Sequence, residues 1–71
     1  MDTLTPIVAD RVVTAMESKG ATRLGISEAT GIPRTTLLRR LSGASPFTVA
    51  ELDAIARALN MPVRDFLGDA A

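Results

Sequence analysis

Arg34, Thr35, Thr36, Arg39 and Arg40 crowd into one short stretch, between the turn residues Gly31-Ile32-Pro33 and the glycine at 43. Two kinds of polar group dominate it, guanidinium and hydroxyl. A guanidinium presents its N–H donors in a planar fork that matches a phosphate, or the O6 and N7 acceptors of guanine. A threonine hydroxyl both donates and accepts, and its methyl can rest against a thymine methyl. The chemistry on offer is recognition of an anionic, acceptor-rich surface. A helix starting at Pro33 turns Arg34, Thr35, Leu38 and Arg39 outward and Leu37 and Leu41 inward.

Other chemistries are excluded by composition. The 71 residues contain no cysteine and no histidine. That removes disulfides, thiolate and imidazole metal sites, and Cys–His or Ser–His nucleophiles. Asp53, Asp65 and Asp69 form no recognisable metal or catalytic cluster, and no phosphate-binding loop is present. No enzyme, cofactor, metal or small-molecule ligand is expected. Aromatic residues make up 3% of the chain, and neither Phe47 nor Phe66 lies beside the basic stretch, which disfavours single-strand or RNA binding by stacking. Net charge is zero, yet its distribution is uneven. Residues 23–40 hold four arginines and one acid, Glu28, so the remainder is acidic. A basic patch on an acidic body can meet phosphate while limiting nonspecific attachment.

The elements that must position these groups read as helices throughout. Thr5-Pro6 marks a helix over residues 6–19, with Val8, Val12, Ala15 and Met16 inward, Ile7 alongside, and Gly20 as the left-handed stop. A second helix runs over 22–30 from an N-cap at Thr22, with Leu24 and Ile26 offering apolar contact and small Ser27 allowing close approach. Gly25 within it costs roughly 1 kcal/mol against alanine. Gly31 turns the chain, Ile32 dips into the core, and Pro33 opens the third helix, over 33–42, which Gly43 ends. Thr48-Val49-Ala50-Glu51 is a capping box with Phe47 as its staple against Leu52. Val49, Leu52, Ile55, Ala56 and Leu59 form the stripe of the fourth helix, and Asn60 takes its left-handed end. Residues 63–67 make a short fifth helix whose Phe66 and Leu67 close the core; 68–71 form a frayed tail. The fold class is all-α, a compact bundle of five short helices in one domain over 1–71. One core of this size supplies roughly 3–5 kcal/mol of stability.

No apolar run approaches the ~18–20 residues of a membrane span, and MDTLTPIVADR lacks the pattern of a signal peptide. The expected location is the cytoplasm, on the nucleoid through DNA, with no membrane partner.

With ISEATGIPRTTL at the turn and LDAIARALNMPVRDFL after it, the chain resembles the lambda-repressor-like helix-turn-helix domains of the phage repressor, Cro and XRE regulator group. The resemblance covers residues 5–67, with the helix-turn-helix at 22–43. It implies double-stranded DNA as partner, with the third helix in the major groove and its first side chains at base edges. Arg34, Thr35, Leu38 and Arg39 are the expected base readers: Arg34 on guanine, Leu38 on a thymine methyl. Thr36 and Arg40 are expected at phosphates. The resemblance adds Thr22 and Arg23 at the start of the second helix, and Ser42 and Gly43 after the third, as backbone contacts. Relatives mostly bind as two-fold dimers with reading helices about 34 Å apart, so a homodimer on a pseudo-palindromic operator is an expected partner.

Two departures stand out. Arg40 occupies a position usually apolar in the family, with Leu41 apolar beside it; a slightly rotated helix would shift assignments from Leu38 to Leu41 by one residue. Pro33 replaces the hydroxyl residue that often caps this helix. Each assignment has a plainer alternative: a solvated helix face for Arg34, Arg39 and Arg40, helix-start capping for Thr35 and Thr36, and a core position for Leu38. The expected function is a phage or bacterial repressor or Cro-like regulator acting by promoter occlusion. The alternative is a protein-interaction module on the same fold, an antitoxin or adaptor.

Overall fold

The computed structural model describes residues 3–68. Among them are five helices and no strand: α1 Leu4–Ser18, α2 Arg23–Thr30, α3 Arg34–Leu41, α4 Val49–Ala58 and α5 Arg64–Leu67. The all-α class stands. Of the expected tail at 68–71, residues 69–71 lie outside the described residues.

α1 begins earlier than Thr5-Pro6 suggests. Thr3 is its N-cap, without a side-chain cap bond, and Pro6 becomes the third helical residue. Proline is tolerated there because the first four N–H groups of a helix have no intrahelical acceptor. Its end follows a Schellman pattern: Gly20 N–H donates to Glu17 O at 3.2 Å and Ala21 N–H to Met16 O at 2.9 Å. α4 ends the same way around Asn60 (φ 58°), with Met61 N–H on Ala56 O at 2.9 Å.

α4 opens on the capping box. Glu51 N–H donates to Thr48 Oγ1 at 3.0 Å, and Thr48 N–H donates to Glu51 Oε1 at 2.9 Å. Phe47 packs against the core cluster that contains Leu52, as a staple should.

One core joins all five helices. α1 packs on α3 and α5, and α2 on α3 and α4. Val12, Leu37, Ile55 and Phe66, from α1, α3, α4 and α5, are fully buried, and Ile26 represents α2. Each such side chain contributes roughly 1.5–3 kcal/mol against the entropy of ordering the chain. Arg11 joins α1 to the end of α5, its Nη1 donating to Leu67 O at 2.6 Å.

Three apolar expectations change. Val49 is 81% exposed, because it is the first residue of α4 and precedes the turn where the stripe meets the core. Leu24 and Leu67 are exposed too, which leaves Ile26 and Phe66 as the buried residues of α2 and α5. In the other direction, Ala9 is buried although it lies beside the expected stripe of α1.

Candidate nucleic-acid interface

The turn between α2 and α3 is tied on both sides. Gly31 adopts φ 79°, and its N–H donates to Ser27 O at 2.9 Å. A left-handed residue there reverses the chain without a Cβ clash. Ser27 Oγ donates to Ile32 O at 2.6 Å, so the small side chain bridges the turn and does not merely leave room. Thr30 Oγ1 donates to Ile26 O at 2.7 Å and accepts from Ile32 N–H at 3.2 Å. Ile32 is held in the core, and Pro33, at φ −56° and ψ 142°, leads into α3 with no side-chain cap. The angle between the two helices is thus set by hydrogen bonds, an apolar anchor and a proline.

That turn presents a single face. Leu37 and Leu41 point into the core, while Arg34, Thr35, Leu38 and Arg39 are exposed. α3 is therefore not rotated by a residue: Leu38, at 43% exposure, is a surface leucine. Thr36 is half-buried. Among the described residues, Arg34 and Arg39 make no ion pair and no side-chain hydrogen bond.

The start of α2 joins this face. Thr22 Oγ1 accepts from Gly25 N–H at 2.9 Å. The N–H groups of Arg23 and Leu24, at the first two helical positions, lie at the positive end of the helix dipole, which favours an anion. Thr22, Arg23 and Arg34 line one surface cleft, together with Glu17 near the end of α1. Residues separated in sequence by a helix and a turn thus come together. Glu17 is an acidic neighbour that the sequence did not point to.

Arg40 departs from its expected place at phosphate. Its Nε donates to Glu51 Oε1 at 2.9 Å, its Nη2 to Glu51 Oε2 at 3.3 Å, and its Nη1 to Ser45 Oγ at 2.8 Å. Both charged side chains are only 17% exposed. The guanidinium is turned inward as a bidentate clamp between α3 and α4. This also accounts for a charge at a position usually apolar: the stem packs and the partner carboxylate satisfies the head. Burial alone would raise the Glu51 carboxyl. The Arg40 hydrogen bond, the Thr48 hydrogen bonds and the Arg40 charge outweigh it and hold the group below its usual range. The sequence offered only a hint, a cation at a position usually apolar in the family; the partner glutamate lies eleven residues on.

The end of α3 is closed as well. Gly43, at φ 82°, donates its N–H to Arg40 O at 3.1 Å. Ser42 Oγ donates to Arg39 O at 2.9 Å and accepts from Ala44 N–H at 3.3 Å. The Gly43 N–H is spent inside the fold, and Ser42 retains its exposure.

Among the described residues there is no group of three or more acids that could hold a metal ion, and no helix is long and apolar enough to cross a membrane. Neither the curated proteins nor the solved structures compared with the chain give a match. A family model does: that of the Cro/C1-type HTH DNA-binding domain matches residues 14–71, from within α1 onward, and the chain belongs to that family of helix-turn-helix DNA-binding domains.

Proposed function

We propose that this protein is a sequence-specific regulator of transcription that binds double-stranded DNA with α3 in the major groove and represses by occluding promoter DNA. One observation carries the reading: the exposed face of α3 bears two arginines, Arg34 and Arg39, with no internal partner among the described residues, on a helix whose inner face is locked in the core. A rigid helix with free guanidinium groups in its first and last turns suits the groove. Arg34, Thr35, Leu38 and Arg39 are the base-reading set. Thr22, Arg23, Thr36 and Ser42 are the phosphate set, with Arg23 and Arg34 sharing a cleft. Arg40 is left out, and Gly43 acts by shaping the turn. The regulator works as a two-fold dimer on a pseudo-palindromic site in the cytoplasm of a phage-infected or bacterial cell.

The experiment is selection of bound duplexes from a random library, followed by fluorescence anisotropy across a salt series. A two-fold motif with half-sites about 10 bp apart supports the full reading. A single half-site supports reading by a monomer and removes the dimer. No enrichment, with weak binding lost by ~0.2 M salt, overturns sequence-specific regulation in favour of a protein-interaction module.

A further inference from the structure

The exposed face of α3 is chemically narrow. Helical neighbours four residues apart lie one above the other, so Leu38 stands over Arg34 and Arg39 over Thr35. Leu38 has Arg34 one turn before it and Arg39 next to it in the chain, and it keeps 43% of its surface exposed. Between Glu28 and Glu51 the chain holds no asparagine, glutamine, aspartate or glutamate. The side chains that pair with adenine N6 and N7, or accept from cytosine N4, are missing from this face. Thr35 donates or accepts with equal ease and favours no base.

What remains is selective. Arg34 and Arg39 match the O6 and N7 acceptors of guanine, and the major groove has one apolar feature, the C5-methyl of thymine. Leu38, hydrated in the free protein, gains by covering such a methyl. Its isobutyl group has no polar atom with which to sense O4 or N4 beside that methyl.

We infer that α3 reads a half-site in which guanines flank a pyrimidine carrying a C5-methyl group, and that Leu38 recognises the methyl and not the base. This rests on the proposed docking of α3 in the major groove. Deoxyuridine, which lacks only the methyl, is a poor replacement for thymidine there. 5-Methylcytosine restores the contact on a G·C pair, so binding responds to cytosine C5 methylation.

The test uses the full chain and a fluorescein-labelled duplex recovered by selection. Each thymidine of the half-site is replaced in turn by deoxyuridine. One position is expected to weaken binding roughly fourfold, about the worth of one buried methyl. At that position 5-methylcytosine should bind better than cytosine by a similar factor. Leu38→Ala, at an exposed site and checked for an unchanged thermal melt, should erase both differences. If the duplex binds tightly and no thymidine-to-deoxyuridine change weakens it, the methyl reading is wrong while DNA reading by α3 stands. The same holds if Leu38→Ala preserves the ratio. If selection yields no preferred duplex, the docking of α3 fails and this inference falls with it.

Discussion

Arg40 Nε lies 2.9 Å from Glu51 Oε1, and that same oxygen accepts the Thr48 N–H at 2.9 Å. One carboxylate therefore closes the N-terminus of α4 and fastens the last turn of α3 to it. The pair braces α3 against α4 behind the proposed reading face. Arg40→Met should cost about 1–3 kcal/mol of stability in urea unfolding, since it strands a mostly buried carboxylate. Glu51→Gln should cost less once Arg40 is gone than in the parent. Affinity for DNA should fall with the log–log salt slope unchanged. A phosphate contact at Arg40 would instead lower that slope by about 0.9, and this outcome would return Arg40 to the contacting set.

Acid should unlock the same joint. The folded Glu51 carboxyl lies below its ordinary value of 4.5. The unfolded chain takes up the proton first, so stability from this group is present above about pH 4.5. It is lost as pH falls from there through the folded value. Urea midpoints followed from neutral pH to about pH 3 should decline across that window. Glu51→Gln, which has no carboxylate to titrate, should decline less steeply. An equal decline in both proteins would remove Glu51 from acid sensitivity.

The fold was legible because its signals are local. Pro33, Gly31 and the Thr48–Glu51 box each act within a few residues, and the stripes Leu37–Leu41 and Leu52–Ile55–Leu59 repeat at helical spacing. Helix ends were less legible: Pro6 is compatible with any of the first helical positions, so it marked a helix without fixing where it starts. The site divides in the same way. The outward set on α3 follows from the inward leucines. The fate of Arg40 does not, because a long side chain at a helix flank reaches either solvent or a neighbour, and only the placement of Glu51 and Ser45 decides. The convergence of Arg23, Arg34 and Glu17 on one cleft is tertiary and has no periodic signature.

Arg23 and Arg34 share that cleft, yet they should behave differently. Arg34 is the first residue of α3, at the end proposed to meet base edges, and its replacement by alanine should cost about 1–3 kcal/mol of specific binding. Preference should relax at one base pair only. Arg23 opens α2, where its N–H and side chain are proposed to face phosphate. Arg23→Ala should weaken all duplexes alike and reduce the salt slope by about 0.9. Anisotropy on the selected site and on a scrambled duplex separates the two. If Arg34→Ala loses the same factor on both duplexes, Arg34 is not a base reader.

Gly25 is explained by its neighbour's hydroxyl. A Cβ at residue 25 would lie 3.0 Å from Thr22 Oγ1, the atom that accepts the Gly25 N–H at 2.9 Å. Alanine in a helix is ordinarily worth roughly 1 kcal/mol over glycine. Here the gain is opposed by crowding of the cap, whose loss costs about 1 kcal/mol. Gly25→Ala should therefore leave stability nearly unchanged. In a Thr22→Ala background the oxygen is absent, and the same substitution should stabilise by roughly 1 kcal/mol. A full gain in the parent would show that Thr22 moves aside freely, and would break the link between this glycine and the cap at the start of α2.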